Sequence, residues 1–154
     1  MNTRPYKSSD RTAVAELCKQ TWLLHGANSD LISHDFYVRF DPTEFIDRIT
    51  ADPNYGILVA EDADELAAVL TYEIETSRRY ETFPKKLFII DVVVAEQFRK
   101  RGLARQLIEA CEQVASDQGA TAVTCEIYKF NEISRQLFSG LGYKPGYEVW
   151  YKPL

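Results

Sequence analysis

The chain has 154 residues, 45% of them hydrophobic and 27% charged, which suits one compact domain over 1–154 and leaves no room for a second of similar size. Eighteen basic against 23 acidic residues give a net charge of −5, which argues against nucleic-acid binding by phosphate neutralisation and suits a cationic substrate. No eighteen apolar residues run together, and the N-terminal stretch lacks the apolar segment of a signal peptide, so a cytoplasmic protein without a membrane span is expected. Cys18, Cys111 and Cys125 are odd in number and far apart, which excludes a disulfide framework or a CxxC site and predicts reduced, buried spacers.

In chain order, Thr3 to Tyr6 reads as a short strand, and Ser9 or Asp10 then caps a helix with Val14, Leu17 and Cys18 on one face. That periodicity ends around Trp22, and Leu24 to Asp41 reads as irregular and aromatic-rich. Asp41, Pro42 and Glu44 open a second helix with a cap, a proline at its first position and an acid at its third, and Asp52-Pro53-Asn54 stops it. Tyr55 to Glu61 and Leu66 to Thr76 form an antiparallel hairpin about the turn from Asp62 to Glu65, followed by a polar loop from Ser77 to Lys85.

Leu87 to Val94 is nearly all apolar and β-branched, the pattern of a strand in the middle of the sheet, covered on both faces and interrupted only by Asp91. Next comes a helix with Leu103, Leu107, Cys111 and Val114 in one stripe and Gly119 as its stop. A strand from Ala122 to Tyr128, a short helix from Asn131 to Gly140 and a last strand near Glu148 to Lys152 complete a mixed α/β sheet.

The run Arg99-Lys100-Arg101-Gly102-Leu103-Ala104 joins the buried strand to an amphipathic helix. A helix start offers free backbone N–H groups and a positive dipole end, so a pyrophosphate there gains hydrogen bonds without side-chain charge. Gly102 lets the backbone approach closely, Ala104 keeps the first turn open, and Arg99, Lys100, Arg101 or Arg105 add charge for the outer phosphates. A phosphate-bearing ligand follows from the residues alone.

The stretch DVVVAEQFRKRGLARQLIEACEQVA resembles motif A of the GNAT N-acetyltransferase superfamily, with Arg99, Gly102 and Ala104 in the Arg/Gln-x-x-Gly-x-Gly/Ala signature. NEISRQLFSGLGY resembles motif B of the same family through Asn131, Ser134, Leu141, Gly142 and Tyr143. The resemblance implies a largely antiparallel sheet with a splayed central strand pair and helices on both faces. It implies acetyl-CoA as cofactor, with the amides of Val92, Val93 and Val94 on the pantetheine arm and residues 99 to 104 on the pyrophosphate. Asn131, Ser134 and Arg135 would lie on the far side of the cofactor. It further implies transfer of an acetyl group by direct attack of an amine, from a small molecule or a protein, and a homodimer, since dimers are common in similar proteins.

Such a transfer needs a base. Asp91 is one candidate, because an acid inside an apolar run is costly unless paired or used, and burial raises its pKa toward a useful value. Glu126, five residues before Asn131, is the other, standing where similar members that acetylate protein N-termini carry an acid. The family's usual general-acid tyrosine, seven residues after the motif B Asn, is replaced by Phe138, which leaves Tyr128, Tyr143 or a water to reprotonate the thiolate. That replacement also opens a second reading, a catalytically weak acyl-CoA-binding or sensing module. His25 and His34 lack metal-ligand companions, Trp22, Phe36, Tyr37 and Phe40 read as packing of a long loop against the sheet, with the lining of an acceptor pocket as the alternative, and Asp30, Asp35 and Asp41 favour a cationic acceptor.

Overall fold

The computed structural model describes residues 2–63, 65–76 and 82–153. Asp64 of the expected hairpin turn and residues 77–81 of the expected polar loop lie outside them. Strand β1 (Asn2–Pro5) leads through a single 3-10 turn into α1 (Arg11–Asn28), followed by α2 (His34–Arg39) and α3 (Pro42–Ala51). Then come β2 (Tyr55–Asp62), β3 (Glu65–Thr76), β4 (Lys85–Val94), α4 (Leu103–Asp117), β5 (Ala122–Cys125) and α5 (Glu132–Gly140). Among the described residues no helix is long and apolar enough to cross a membrane.

The strands form one sheet in the order β1-β2-β3-β4-β5, antiparallel except for the parallel pair β4–β5. β4 is therefore next to an edge of the described sheet, not in its middle, and β3 is the central strand. Val59, Val69, Leu70 and Leu87 on the strands and Val14, Cys18, Ile46, Leu103, Leu107 and Cys111 on the helices are almost fully buried, so the helices seal both faces of the sheet. Val114 of the expected α4 stripe is only partly buried, and Ile108 and Ala115 complete the stripe in its place.

Three local expectations hold for their stated reasons. The side chain of Asp41 caps α3 by accepting the Thr43 N–H at 2.9 Å. α4 ends just before Gly119, and β2 and β3 pair antiparallel. Arg4 adds a long-range clamp, donating to both Asp10 oxygens at 2.7 and 3.0 Å and to Glu61 on β2, which holds the Asp10 carboxyl below its usual range.

Three others fail. α1 does not stop at Trp22 but runs on to Asn28, and the stretch after it contains α2, so residues 24–41 are mostly helical. Packing of the two helices compensates for the lost apolar period: Trp22 packs against Tyr37 and Phe40 in tilted contacts with ring centroids 5.3 and 6.0 Å away. β5 stops at Cys125 rather than Tyr128. Residues 148–152 have the alternation of a strand yet are exposed and outside any regular element, with no strand partner among the described residues.

Gly26 makes the α1–α2 contact possible, since a Cβ there would stand 2.7 Å from the His34 Cα. Backbone cannot yield as a flexible side chain would. Gly26→Ala is therefore expected to destabilise the protein by about 1–3 kcal/mol in urea unfolding, through overpacking at this contact.

Candidate active site

β4 pairs with β3 over its whole length but with β5 only from Lys86 to Ile89. Beyond Ile89 the two parallel strands part, and backbone groups of Ile90 to Val94 on the β5 side have no strand partner among the described residues. This is the splayed pair the resemblance implied. Alternate amides of a strand face opposite edges, and the Ala95 N–H donates to the Ala67 carbonyl of β3 at 2.9 Å, so the amides of Val92 and Val94 face the β5 side and that of Val93, paired with Val69, faces β3.

A bulge sits at the point of divergence. Thr71 pairs with Asp91 and Tyr72 with Ile89, so Ile90 is an extra residue in β4. Neighbouring residues of β3 face opposite sides, and the bulge therefore puts Ile89 on the α4 face with Tyr72 but turns Asp91 to the α1 face with Thr71. There Asp91 is 6% exposed and accepts one hydrogen bond, from the Trp22 indole N–H at 3.1 Å. Burial pushes its carboxyl up to about 6, against the smaller opposing effect of that bond. The Thr71 hydroxyl beside it is fully buried and has no hydrogen-bond partner.

One turn further along α1, the His25 ring packs at a tilt on Tyr128 with centroids 4.7 Å apart, and Phe130 lies against both rings. Burial lowers the pKa of this imidazole and raises that of the Tyr128 phenol. α1 thus supports Asp91 on one side of the opening through Trp22 and Tyr128 on the other through His25. Tyr128 is close enough to Glu126, and to a lesser degree to Tyr37 and Asp91, for their charges to act on it, and its hydroxyl has no partner among the described residues. Glu126 lies just past the end of β5 and is exposed, so the two candidate carboxylates occupy opposite environments.

At the start of α4, Gly102 is the N-cap residue with φ 83°, and no side chain caps the helix. A Cβ on Gly102 would meet nothing within 4 Å, which leaves a clear approach to the first amides, of Leu103 and Ala104. Lys100 also has positive φ, at 62°, and is exposed. The basic residues are not equivalent. Arg101 turns away to Asp62 at 2.8 Å and the Gln97 carbonyl at 3.1 Å, with its guanidinium over Phe98. Arg99 donates to the Val94 carbonyl at 3.3 Å, and Arg105 lies 3.7 Å from Glu109, which leaves Lys100 as the uncommitted cation of the turn.

Asn131 is committed through its side-chain oxygen, which caps α5 by accepting the Ser134 N–H at 3.1 Å. Arg135 lies 3.6 Å from Glu132. Phe138 is buried and meets Tyr143 edge-on at 4.9 Å, while the Tyr143 hydroxyl donates to Glu112 at 2.9 Å, an interaction that with burial pushes its pKa well up. Of the two tyrosines considered in place of the family's residue, Tyr143 is therefore tied down and Tyr128 is free. The pairing of Trp22 with Asp91 could not be read from sequence, because the bulge that directs it leaves no mark in an all-apolar strand.

A strand opening backed by an uncapped, glycine-led helix start defines a protein that holds a long phosphate-bearing donor. The acetyltransferase (GNAT) family model matches residues 27–143, and the chain belongs to that family, whose acetyl donor is acetyl-CoA. It is 27% identical over 151 residues to the uncharacterized N-acetyltransferase YhfO of Bacillus subtilis, covering 94% of this chain and 90% of that one. A tetramutant of the BH1408 protein from Bacillus halodurans superposes with a TM-score of 0.85 at 23% identity, over 100% of both chains. The aminoglycoside N-acetyltransferase AAC(6')-Iy, solved in complex with CoA, gives a TM-score of 0.80 at 18% identity over 99% of this chain and 93% of that one. These two likenesses show the fold.

Asp91 carries a stability cost with a defined sign. Its pKa is raised on folding, so the neutral acid is tolerated at low pH and stability is lost as pH rises through about 6. Asp91→Asn is expected to melt like the parent at pH 4 and to be more stable by about 3 kcal/mol at pH 8. Thermal melts at the two pH values check it.

Proposed function

We propose that the protein transfers an acetyl group from acetyl-CoA to an amine, of a small molecule or of a protein, by direct attack, with Asp91 as the base. The observation that carries this reading is the placement of a buried carboxylate with a raised pKa at the mouth of the β4–β5 opening. Bound acetyl-CoA supplies a thioester carbonyl and a thiolate leaving group. The amides of Leu103 and Ala104, reached past Gly102, would hold the pyrophosphate with charge from Lys100 and, once released, from Arg99 or Arg101. Arg135, with the Ser134 hydroxyl, would meet the far end.

The Val92 and Val94 amides would line the pantetheine arm and orient the carbonyl, a contribution of a few kcal/mol when pre-organised (about 3). Asp91, deprotonated near neutral pH, would take the ammonium proton directly or through one water. Tyr128 is the hydroxyl placed to return a proton to the sulfur. Glu126, exposed and beyond the strand end, is better suited to attracting a cationic acceptor than to holding a proton. The acidic surface favours the same acceptor charge.

Phe138 favours one competing reading, an acyl-CoA-binding module with little turnover, because a hydroxyl there would enter the core instead of the cleft. CoA thiol release measured across an amine panel separates the two. The transferase reading expects acceptor-dependent release whose kcat rises with pH to an inflection near 6, and a loss of about 10²- to 10⁴-fold in Asp91→Asn. Tight acetyl-CoA binding with no amine-stimulated release would favour the binding module.

The cofactor site has its own test. Gly102→Val imposes a side chain on a left-handed backbone position, and is expected to weaken coenzyme A binding by about tenfold or more in calorimetry with secondary structure intact.

A further inference from the structure

Two polar groups are unmatched where β4 and β5 part. The Thr71 hydroxyl is fully enclosed and has no hydrogen-bond partner among the described residues. Such a group has lost its bonds to water and regained none, a condition that buried polar atoms rarely keep. Opposite it, Asp91 accepts the Trp22 N–H through Oδ2, and no described residue donates to its Oδ1.

Position brings the two side chains together. Thr71 and Asp91 are register partners across β3 and β4, so both project to the α1 face, with Cβ atoms about 5 Å apart as in any directly opposed pair. The surrounding rows give Thr71 no alternative. Ile57, its partner on β2, and Val69 and Val93, its neighbours on the same face, are apolar and buried. Glu73, the next residue on that face of β3, is engaged by Tyr55.

A hydroxyl acts both ways, whereas an indole N–H only donates. Trp22 therefore serves the ionised carboxyl alone. We propose that Thr71 is a positioning residue for Asp91, donating its hydroxyl proton to Oδ1 when the carboxyl is ionised and accepting the acid O–H from that oxygen when it is neutral. Rotation of Thr71 about χ1 makes the contact, and the hydroxyl reorients as the proton comes and goes, so both groups are met in either state. The bond to the carboxylate is charge-assisted and the stronger of the two, so Thr71 favours ionisation on balance. This bond stands whether or not Asp91 is the base; only its effect on acetyl transfer rests on that reading.

No cation among the described residues competes with Thr71 for the carboxylate. Burial, and behind it the Asp91 charge, raises the pKa of Cys18 on α1 and of Tyr37 on α2. Tyr128, beyond β5, is raised by burial, Glu126, Tyr37 and Asp91 in that order. All three are neutral near pH 7. His25 lies against Tyr128 with a lowered pKa, and a residue-resolved carboxyl signal keeps its titration apart from that of Asp91.

Carboxyl carbon NMR of the protein without acceptor reads the bond directly. Thr71→Val keeps the shape and removes the hydroxyl, and is expected to raise the Asp91 midpoint by roughly 0.5 to 1 pH unit. Thr71→Ser keeps a hydroxyl and should titrate like the parent. Loss of a donor disfavours the ionised form, so Thr71→Val should lose more stability relative to the parent at pH 8 than at pH 4. An idle hydroxyl would instead make the valine variant more stable to the same degree at both. Should Thr71→Val not fold, Thr71→Ala carries the same expectation for the midpoint. In acetyl transfer, the inflection of kcat should rise with the NMR midpoint. A midpoint that moves without the inflection would support the Thr71 bond and remove Asp91 as the base. A midpoint in Thr71→Val at or below that of the parent, or one in Thr71→Ser that follows Thr71→Val, would overturn the proposal.

Discussion

Everything at the site depends on β4 being fully paired on one side and half-paired on the other. β3 holds it from Lys85 to Val94, which fixes the strand, while β5 lets go after Ile89. Backbone left without a strand partner must find another, since an unmet buried N–H costs about as much as a lost hydrogen bond. A fold that ends β5 early therefore creates a demand for a ligand beside Val92 to Val94. The bulge at Ile90 comes at the same point, and by reversing the strand's facing it decides that Asp91 meets α1 instead of α4.

The surroundings of Asp91 explain why so costly a residue is bearable. One indole N–H is little compensation for burying a carboxylate, and the group responds by holding its proton to a higher pH. Rings of Tyr37, Phe40 and Phe45 pack around that indole, so its donor is fixed in place. On the proposed mechanism, stability is given up where the acid is used, a trade common at catalytic positions. The same helix supports Tyr128 through His25, which ties both walls of the opening to one rigid element.

Local features were legible in the sequence and relational ones were not. Asp41 with Pro42, Gly119 after the α4 stripe, and Arg99-x-x-Gly102-x-Ala104 after an apolar strand each act within a few residues, and the structure has Asp41 at the α3 cap, Gly119 just past α4 and Gly102 at the start of α4. The continuation of α1 past Trp22 was hidden because Leu24 and Gly26 break the apolar period; α2 packs there, and Gly26 is what admits it. Ile90 looks like any other member of LFIIDVVV, so neither the bulge nor the Trp22–Asp91 pair could be foreseen. The pattern of Glu148 to Lys152 did signal strand character, but a pattern names no partner. Arg101 lies within the phosphate-binding turn and Asn131 matches motif B, yet their side chains are engaged with Asp62 and with the α5 cap.

Asp91 is the point at which fold, electrostatics and chemistry meet, and its titration can be followed directly by carboxyl carbon NMR in the protein with coenzyme A bound. The account predicts a carboxyl that titrates near 6 and moves together with the pH dependence of acetyl transfer. Titration in the ordinary carboxylate range near about 4 would contradict it, because a group ionised throughout neutral pH has no raised pKa with which to serve as the base.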